Sequence, residues 1–499
     1  MNQLSALLKR LDGAGLTTRK QARTGDLDID HLASDSRAVG PGGLFVAIRG
    51  GKIDGHLFID KAVQNGAIAI VCEAVPKDAR ERYPGIAFAQ VANTRAALAE
   101  LAAAFYGDPS RELKMIGVTG TNGKTTTAHL LHHLLSQLGE TAGLIGTIEF
   151  RLGDQTLPAT HTTPDALELN RMLRGMVSRG CTSCVMEVSS HALDQDRVRA
   201  IAYDVGVFTN LTRDHLDYHG SPQAYLAAKK KLFDTLPETA TALYNADDPA
   251  APQLIADTAA RTVSYGFSGE ADVQVDVLEN RIDGLRLRVD GIEQRFRLVG
   301  HFNAYNLAAA YSAGRALGYE GADVLESLAS VSPVPGRFEA LRFADGTTVI
   351  IDYAHTPDAL ENILQTLRTT KSPAATLWCV FGCGGDRDAG KRRPMGALAE
   401  SYADRVVVTS DNPRTEDPEG IMNDIRRGMD RPTEAAWIVD RKEAIAHAAR
   451  HAAPGDVVLV AGKGHETYQI IGTERRPFDD REEVRKVFGE ERKDEWAKG

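Results

Sequence analysis

The stretch Gly117-Val118-Thr119-Gly120-Thr121-Asn122-Gly123-Lys124-Thr125-Thr126-Thr127 constrains the fold more than any other part of the chain. An apolar segment, residues 113–118, runs into it and reads as a buried strand. Leu130, Leu134 and Leu138 follow at helical spacing beside Leu131 and Leu135, and Gly139 marks the stop. A glycine-rich turn from strand to helix gathers backbone N–H groups at the positive end of the helix dipole, which makes an anion site. Lys124 can reach the outer phosphates, and the Thr125 hydroxyl can ligate Mg²⁺. The expected ligand is a nucleoside triphosphate. The general phosphate-loop pattern puts Gly six residues before the Lys. That position is Val118 here, so the loop is the shorter Gly-x-x-Gly-Lys-Thr.

With 499 residues, the chain has length for about three domains. Its apolar content of 43% and charged content of 25% are those of globular proteins. A net charge of −10 argues against general binding to nucleic acid or anionic membranes. No apolar run approaches a membrane span, and residues 1–20 lack a signal-peptide core, so a cytoplasmic location is expected. The five cysteines, Cys72, Cys181, Cys184, Cys379 and Cys383, are expected as buried or half-buried free thiols.

Short apolar runs at 44–48, 67–71 and 86–91 read as strands, with helices at 56–65 and 94–105. Gly107-Asp108-Pro109-Ser110 breaks this pattern and reads as a linker. Strands at 184–188, 205–209 and 241–245 follow the phosphate loop, with helical stretches between, so a largely parallel, doubly wound sheet is expected. Residues 331–336, rich in Pro, form the second linker. Beyond it, strands at 348–352, 377–381, 406–409, 437–439 and 457–460 alternate with helices. This third region is Rossmann-like, but Gly382-Cys383-Gly384-Gly385-Asp386-Arg387 lacks the last glycine of the dinucleotide fingerprint, which excludes a dehydrogenase. The fold class is therefore α/β in three domains: a small N-terminal α/β domain at 1–108, a central doubly wound ATPase-like domain at 109–335, and a C-terminal Rossmann-like domain at 336–499. Residues 490–499 are polar and expected to fray.

Polar clusters recur at strand ends, where open sheets bind ligands. Glu187 ends one strand and can hold the metal that bridges phosphates. The loop from Asn210 to His219 follows another, and His215 is its best ligand candidate. Ser221-Pro222 caps the next helix, which carries Lys229-Lys230-Lys231. On residue chemistry alone, that lysine run is a solvated face. Gly300 to Asn306 precedes an alanine-rich helix, and its asparagines suit a cap or a base contact. In the third region, the loops Gly385-Asp386-Arg387, Asp411-Asn412-Pro413-Arg414 and Gly462-Lys463-Gly464-His465-Glu466 make a rim of Arg, Asp, Asn and Glu. Such a rim suits a zwitterionic ligand.

Together these motifs resemble the Mur ligase family, ATP-dependent amide-forming enzymes of peptidoglycan synthesis. The resemblance runs from Asp35-Ser36-Arg37 to Gly464-His465-Glu466 and includes Glu187 to His191, Asn210 to His215, His301 to Asn306, Gly336-Arg337 and Asp352 to Asp358. Asp411-Asn412-Pro413-Arg414 is similar to the loop of members that add meso-diaminopimelate to UDP-MurNAc-L-Ala-D-Glu. The resemblance implies ATP contacts by Gly120, Thr121, Asn122, Gly123, Lys124, Thr125, Thr126, Asn306, Arg337, Asp352 and His355. It assigns Ser36 to the uridine part, and Thr162, Thr163, Ser189, Gln195 and Arg197 to the muramoyl-dipeptide. It assigns the 387, 411–414, 462 and 466 rim to diaminopimelate. Thr125, Glu187, His215 and Lys229 become Mg²⁺ ligands, Lys229 as the CO₂-carbamylated N6-carboxylysine, which reverses the solvated-face reading. Lys124, Lys229, His215 and Glu187 carry the catalytic roles, in a chain expected to be monomeric. Two other readings stay open: another amide ligase of the same superfamily, which would lack the 411–414 loop, and a nucleotide-dependent regulatory protein with no amine acceptor.

Overall fold

A computed structural model of the chain describes residues 2–21, 26–51, 53–489 and 491. Most of the 490–499 tail expected to fray lies outside the described residues. Each of the three regions builds its own sheet, and a separate two-stranded hairpin stands near the C-terminus.

The first sheet runs Thr17–Gln21, Ala87–Val91, Ala67–Cys72, Gly43–Val46, His31–Ala33. Only the edge strand Thr17–Gln21 is antiparallel. Ala67–Cys72 and Gly43–Val46 are nearly continuous apolar runs because both of their faces are covered. The predicted helix at 56–65 begins instead as a 3-10 turn, Gly55–Phe58, and becomes α-helical at Ile59–Gln64. Asp54 caps that turn through the His56 N–H, and this local bond tightens the first turn. Helix Thr94–Phe105 is capped by Asn93, whose Oδ1 accepts from the N–H groups of Arg95 and Ala96.

The central sheet has eleven strands. Its middle is the expected parallel block: Ala142–Ile145, Ser183–Glu187, Lys114–Thr119, Val205–Phe208, Thr241–Asn245 and Arg261–Gly266. The strand leading into the phosphate loop therefore lies between the strands that end at Glu187 and Phe208. Helices Lys124–Gln137 and His301–Ala316 cover one face through Leu130, Leu131, Leu134 and Leu307. Helices Ala166–Ser178 and Pro222–Asp234 cover the other through Leu169, Leu173, Leu232 and Phe233.

The sheet is less uniformly parallel than the sequence reading expects. At one edge Val273–Arg281, Gly284–Val289 and Ile292–Phe296 form an antiparallel meander. Its second turn is Asp290-Gly291, both at positive φ, the backbone geometry that a two-residue hairpin matched to strand twist requires. At the other edge, Glu149–Leu152 and Gln155–Pro158 add a hairpin.

The third sheet runs Glu339–Arg342, Thr348–Asp352, Val457–Ala461, Leu377–Phe381, Arg405–Val408, Ala436–Trp437, and only the first strand is antiparallel. The loops after Asp352, Phe381, Val408 and Ala461 leave the same carboxyl edge, the position for ligand sites in open α/β sheets. All five cysteines are free and buried. No helix among the described residues is long and apolar enough to cross a membrane.

Candidate active site

The phosphate loop turns at two glycines with positive φ, 151° at Gly120 and 85° at Gly123. A Cβ on Gly120 would sit 1.9 Å from Thr209 Oγ1, and one on Gly123 would sit 2.4 Å from Asn306 Oδ1. Both positions therefore need glycine for backbone shape and for space. Neighbouring loops hold the turn in place. Thr121 N–H donates to the Asn210 carbonyl at 2.8 Å, Asn122 N–H to Asn210 Oδ1 at 2.9 Å, and Thr209 Oγ1 to the Asn122 carbonyl at 2.6 Å.

Helix Lys124–Gln137 starts directly after this turn. Lys124 Nζ donates to the Gly120 and Thr121 carbonyls, each at 2.9 Å. Burial pulls its pKa below the usual lysine value. Thr125 Oγ1 donates to Glu187 Oε2 at 2.9 Å. Glu187 is fully buried and also accepts from Thr147, N–H to Oε1 at 2.7 Å and Oγ1 to Oε2 at 3.0 Å. A hydroxyl beside a carboxylate is a donor set that a hard divalent cation completes with phosphate oxygens and water, so these residues fit Mg²⁺. No group of three or more His, Cys, Asp or Glu among the described residues is placed to hold a metal unaided.

Lys229 lies on helix Pro222–Asp234, which Ser221 and Pro222 start as expected. It is 1% exposed, so it does not belong to a solvated face. Its Nζ donates to the Gly120 carbonyl at 2.7 Å and lies 4.5 Å from the Tyr225 ring centroid. Burial, then repulsion from Lys124, drives its pKa well below the ordinary value. His215 lies in the loop after strand Val205–Phe208, in a left-handed conformation, φ 54°. Its ring packs edge-on against His191 at 4.8 Å, and its Nε2 lies 3.4 Å from Asp214 Oδ2. Burial lowers its pKa against the pull of Asp214, which keeps the ring neutral as a ligand must be.

The central and third regions meet over this edge. Arg337 Nη2 donates to Thr125 Oγ1 at 3.2 Å, and its guanidinium lies 4.4 Å from the Tyr353 ring centroid. Asn122 Nδ2 donates to Asp358 Oδ2 at 2.6 Å, and His355 Nε2 lies 4.0 Å from Asp214 Oδ2. His355 Nδ1 contacts the Tyr353 carbonyl at 2.9 Å, which makes Nδ1 the protonated nitrogen. Asp352 accepts from the N–H groups of Phe338 and Ala354, both at 2.6 Å.

A cavity of about 600 Å³ follows this junction. Of the residues predicted from sequence, Thr121, Asn122, Gly123, Lys124, Thr125, Thr126, Thr162, Glu187, Ser189, His215, Lys229, Asn306, Arg337, Asp352 and His355 line it. Gly120 sits behind the lining as the acceptor shared by two lysines. Asn303 and Asn306 lie within the first turns of helix His301–Ala316 and do not cap it; Gly300 is the N-cap. Asn303 bonds back to the Val299 carbonyl, and Asn306 Nδ2 to Asn303 Oδ1.

Thr163, Ser189, Gln195 and Arg197 form a chain beside the cavity. Thr163 Oγ1 donates to the Glu187 carbonyl at 2.8 Å and accepts from Ser189 N–H at 3.1 Å. Arg197 donates to the Thr163 carbonyl at 2.9 Å and to Gln195 Oε1 at 2.7 Å. Thr162 joins through Thr147, with their hydroxyls 3.1 Å apart. Ser36 stands apart in the N-terminal domain, buried, with its carbonyl accepting from Asn65.

The third-region rim forms a separate cluster. Asn412 Nδ2 donates to Glu466 Oε2 at 2.9 Å, and Asn412 Oδ1 accepts from Ile470 N–H at 2.9 Å. Arg414 is held at φ 52°, with Nη1 on the Gly385 carbonyl at 2.8 Å. A Cβ on Gly462 would meet Asp411 Oδ2 at 2.6 Å. Arg387 is exposed and donates to the Asp386 carbonyl at 2.9 Å, outside the Asn412–Glu466 network.

Two residues at the centre of these networks carry no role in the sequence reading: Thr147, which it does not name, and Lys463, which it places in a rim loop without a function. Thr147 follows the strand Ala142–Ile145, and a Gly-Thr pair at a strand end was the available signal. Lys463 lies fully buried inside the rim, and its sequence signal was a lysine between two glycines.

Family models match three stretches: "Mur ligase family, catalytic domain" over residues 28–106, "Mur ligase middle domain" over 118–314, and "Mur ligase, glutamate ligase domain" over 336–464. A UDP-N-acetylmuramoyl-L-alanyl-D-glutamate--2,6-diaminopimelate ligase from Cytophaga hutchinsonii is 46% identical over 459 residues, 91% of this chain and 94% of that protein. The ligase of the same name from Geobacillus thermodenitrificans is 45% identical over 501 residues, 98% of this chain and 100% of that protein. A solved structure bearing this name aligns at a TM-score of 0.62 and 35% identity, covering 92% of this chain and 94% of that one.

Proposed function

The chain belongs to the Mur ligase family, and on that premise we propose that it adds meso-2,6-diaminopimelate to UDP-N-acetylmuramoyl-L-alanyl-D-glutamate at the expense of ATP, in peptidoglycan synthesis. The new amide forms at the side-chain carboxylate of D-glutamate. The observation that carries this reading is a phosphate loop facing, across one junction, a domain whose rim is Asp411-Asn412-Pro413-Arg414 with Glu466.

A carboxylate is a poor electrophile, so ATP phosphorylates it to an acyl phosphate, which the amine attacks with release of phosphate. Lys124 offsets charge on the transferred phosphoryl group. Thr125 and Glu187 would hold Mg²⁺, which supplies further charge stabilisation on the phosphates. Arg337, Asn306, Asp352 and His355 line the cavity at this junction and are assigned to ATP. Thr162, Thr163, Ser189, Gln195 and Arg197 are assigned to the muramoyl-dipeptide, and Ser36 to its uridine end. Arg387, Asp411, Asn412, Pro413, Arg414, Gly462 and Glu466 are assigned to diaminopimelate.

Lys229 is assigned as a carbamylated lysine that, with His215, would hold a second metal. Its depressed pKa supports this, because CO₂ reacts with the neutral amine. The division into domains at 108/109 and 335/336 has the support of the three separate sheets. A cytoplasmic, monomeric enzyme fits a soluble nucleotide-linked substrate.

The test is phosphate release from ATP with the UDP-muramoyl-dipeptide and a panel of amino acids. Turnover is expected to require both the nucleotide substrate and meso-diaminopimelate. Equal or greater efficiency with L-lysine would overturn the amino-acid assignment.

A further inference from the structure

We propose that Lys463 is the positioning residue of the amino-acid site: a buried ammonium that orients Asn412 and Glu466 and sets the charge balance that favours a ligand bearing both an ammonium and a carboxylate at its distal end. The proposal rests on the reading of the rim as the diaminopimelate site.

Lys463 is 0% exposed. Its Nζ donates to Glu466 Oε2 at 3.1 Å and to Asn412 Oδ1 at 3.2 Å, and lies 3.9 Å from Asp411 Oδ1. The backbone is shaped to put it there. Gly462 and Gly464 have φ of 116° and 51°, and a Cβ on Gly464 would lie 2.6 Å from the Gly336 carbonyl oxygen. Two glycines that no other residue replaces without strain thus turn one lysine inward. A buried lysine is costly to desolvate, and an apolar side chain of similar volume would often be the more stable filling. Its place here is better explained by what it does to its three partners.

The first effect is orientation. Asn412 Oδ1 accepts from both Lys463 and Ile470 N–H, so the amide cannot flip, and Nδ2 is committed to Glu466. Both recorded bonds to Glu466 fall on Oε2, which leaves Oε1 for a ligand ammonium. The second effect is charge. Without Lys463, Asp411 and Glu466 would keep Arg441, itself committed to Asp480, as their buried counter-charge, and would favour any ammonium. With Lys463 between them, a cationic ligand end gains less. The full gain then requires the carboxylate that Arg414 can pair. Lys463 therefore acts on selectivity through Glu466 without touching the ligand.

The experiment uses the full-length enzyme and measures kcat and KM for meso-diaminopimelate and L-lysine, with KM for ATP as the check on folding. Lys463→Met is expected to raise KM for diaminopimelate by about 10-fold or more and to narrow its advantage over lysine, with KM for ATP unchanged. Lys463→Gln, which keeps a donor but no charge, is expected to lose selectivity with a smaller rise in KM. Because Lys463 acts through Glu466, the losses from Lys463→Met and Glu466→Gln should not add in the double variant. Additive losses, an unchanged diaminopimelate-to-lysine ratio, or loss of ATP binding in both Lys463 variants would overturn the proposal. Wild-type enzyme without diaminopimelate-dependent turnover would overturn the reading of the site as a whole. Normal wild-type turnover with unaffected Lys463 variants would overturn this assignment alone.

Discussion

Lys124 and Lys229 donate to the same oxygen, the Gly120 carbonyl, at 2.9 and 2.7 Å. Burial lowers the pKa of both lysines, and repulsion from Lys124 lowers that of Lys229 further, well below the ordinary value. The strand-to-helix turn thus does two things at once. On one side it starts helix Lys124–Gln137, whose N-terminus is the proposed phosphate site, and on the other it holds a lysine whose neutral form is favoured. A neutral amine is what carbamylation needs.

Lys229 should therefore carry CO₂ in the active enzyme. Labelled bicarbonate is expected to give a carbamate carbon resonance that is absent in Lys229→Ala, and that variant should lose activity while keeping its fold. Active enzyme with an unmodified Lys229 would contradict the assignment.

Lys124→Ala removes the side-chain cation that the proposed mechanism assigns to the transferred phosphoryl group. Such electrostatic contacts are typically worth about 10²- to 10³-fold in rate, so kcat should fall by at least the lower figure. A folded variant with near wild-type turnover would rule the role out.

The phosphate loop was legible in the sequence because strand, turn and helix are contiguous, and each element carries its own local signal. The strand-end positions of Glu187, His215 and Asp352 were legible for a similar reason, since apolar runs end abruptly in polar residues. Lys229 was not legible from residue chemistry. Its neighbours Lys230 and Lys231 make the run look solvated, and only the docking of its helix over Gly120 buries one of the three. The roles of Lys463 and Thr147 were not legible because they depend on partners far away in sequence, Asn412 and Asp411 for Lys463, beside the nearby Glu466, and Glu187 for Thr147. The meander at 273–296 was legible, through alternation and Asp290-Gly291, but a reading built on parallel βα units passes over it.

Asp352 gives a pH signature. Burial raises its pKa from 3.8 to about 6, with Arg337 opposing. The folded state then favours the protonated acid. Its contribution to stability is present below pH 3.8 and is lost as pH rises through about 6. The shift corresponds to about 3 kcal/mol. The stability of the wild type relative to Asp352→Asn should therefore fall between pH 4 and pH 6 and level off above, as read from parallel denaturation series. A difference that stays constant across this window would refute it.

Arg414 should read the group that separates diaminopimelate from lysine, the second carboxylate on the distal carbon. Its backbone is pinned on both sides, N–H to the Ile470 carbonyl at 3.1 Å and carbonyl from Gly472 N–H at 2.7 Å. Its Nη1 is held by the Gly385 carbonyl at 2.8 Å. A guanidinium fixed at one nitrogen keeps its remaining donors in a planar fork, which matches a carboxylate with two parallel bonds. Lysine would leave that fork unpaired, a penalty added to the lost contact. Charge-assisted bonds of this kind contribute roughly 1.5–3 kcal/mol, so Arg414→Ala should reduce the preference for diaminopimelate over lysine by about 10- to 150-fold. The measurement is kcat/KM for both amino acids in both enzymes. The loss should fall on diaminopimelate, while lysine, relieved of an unpaired Arg, should be unchanged or improved. If the ratio does not move, Arg414 does not read the distal carboxylate, and selectivity must come from elsewhere in the rim.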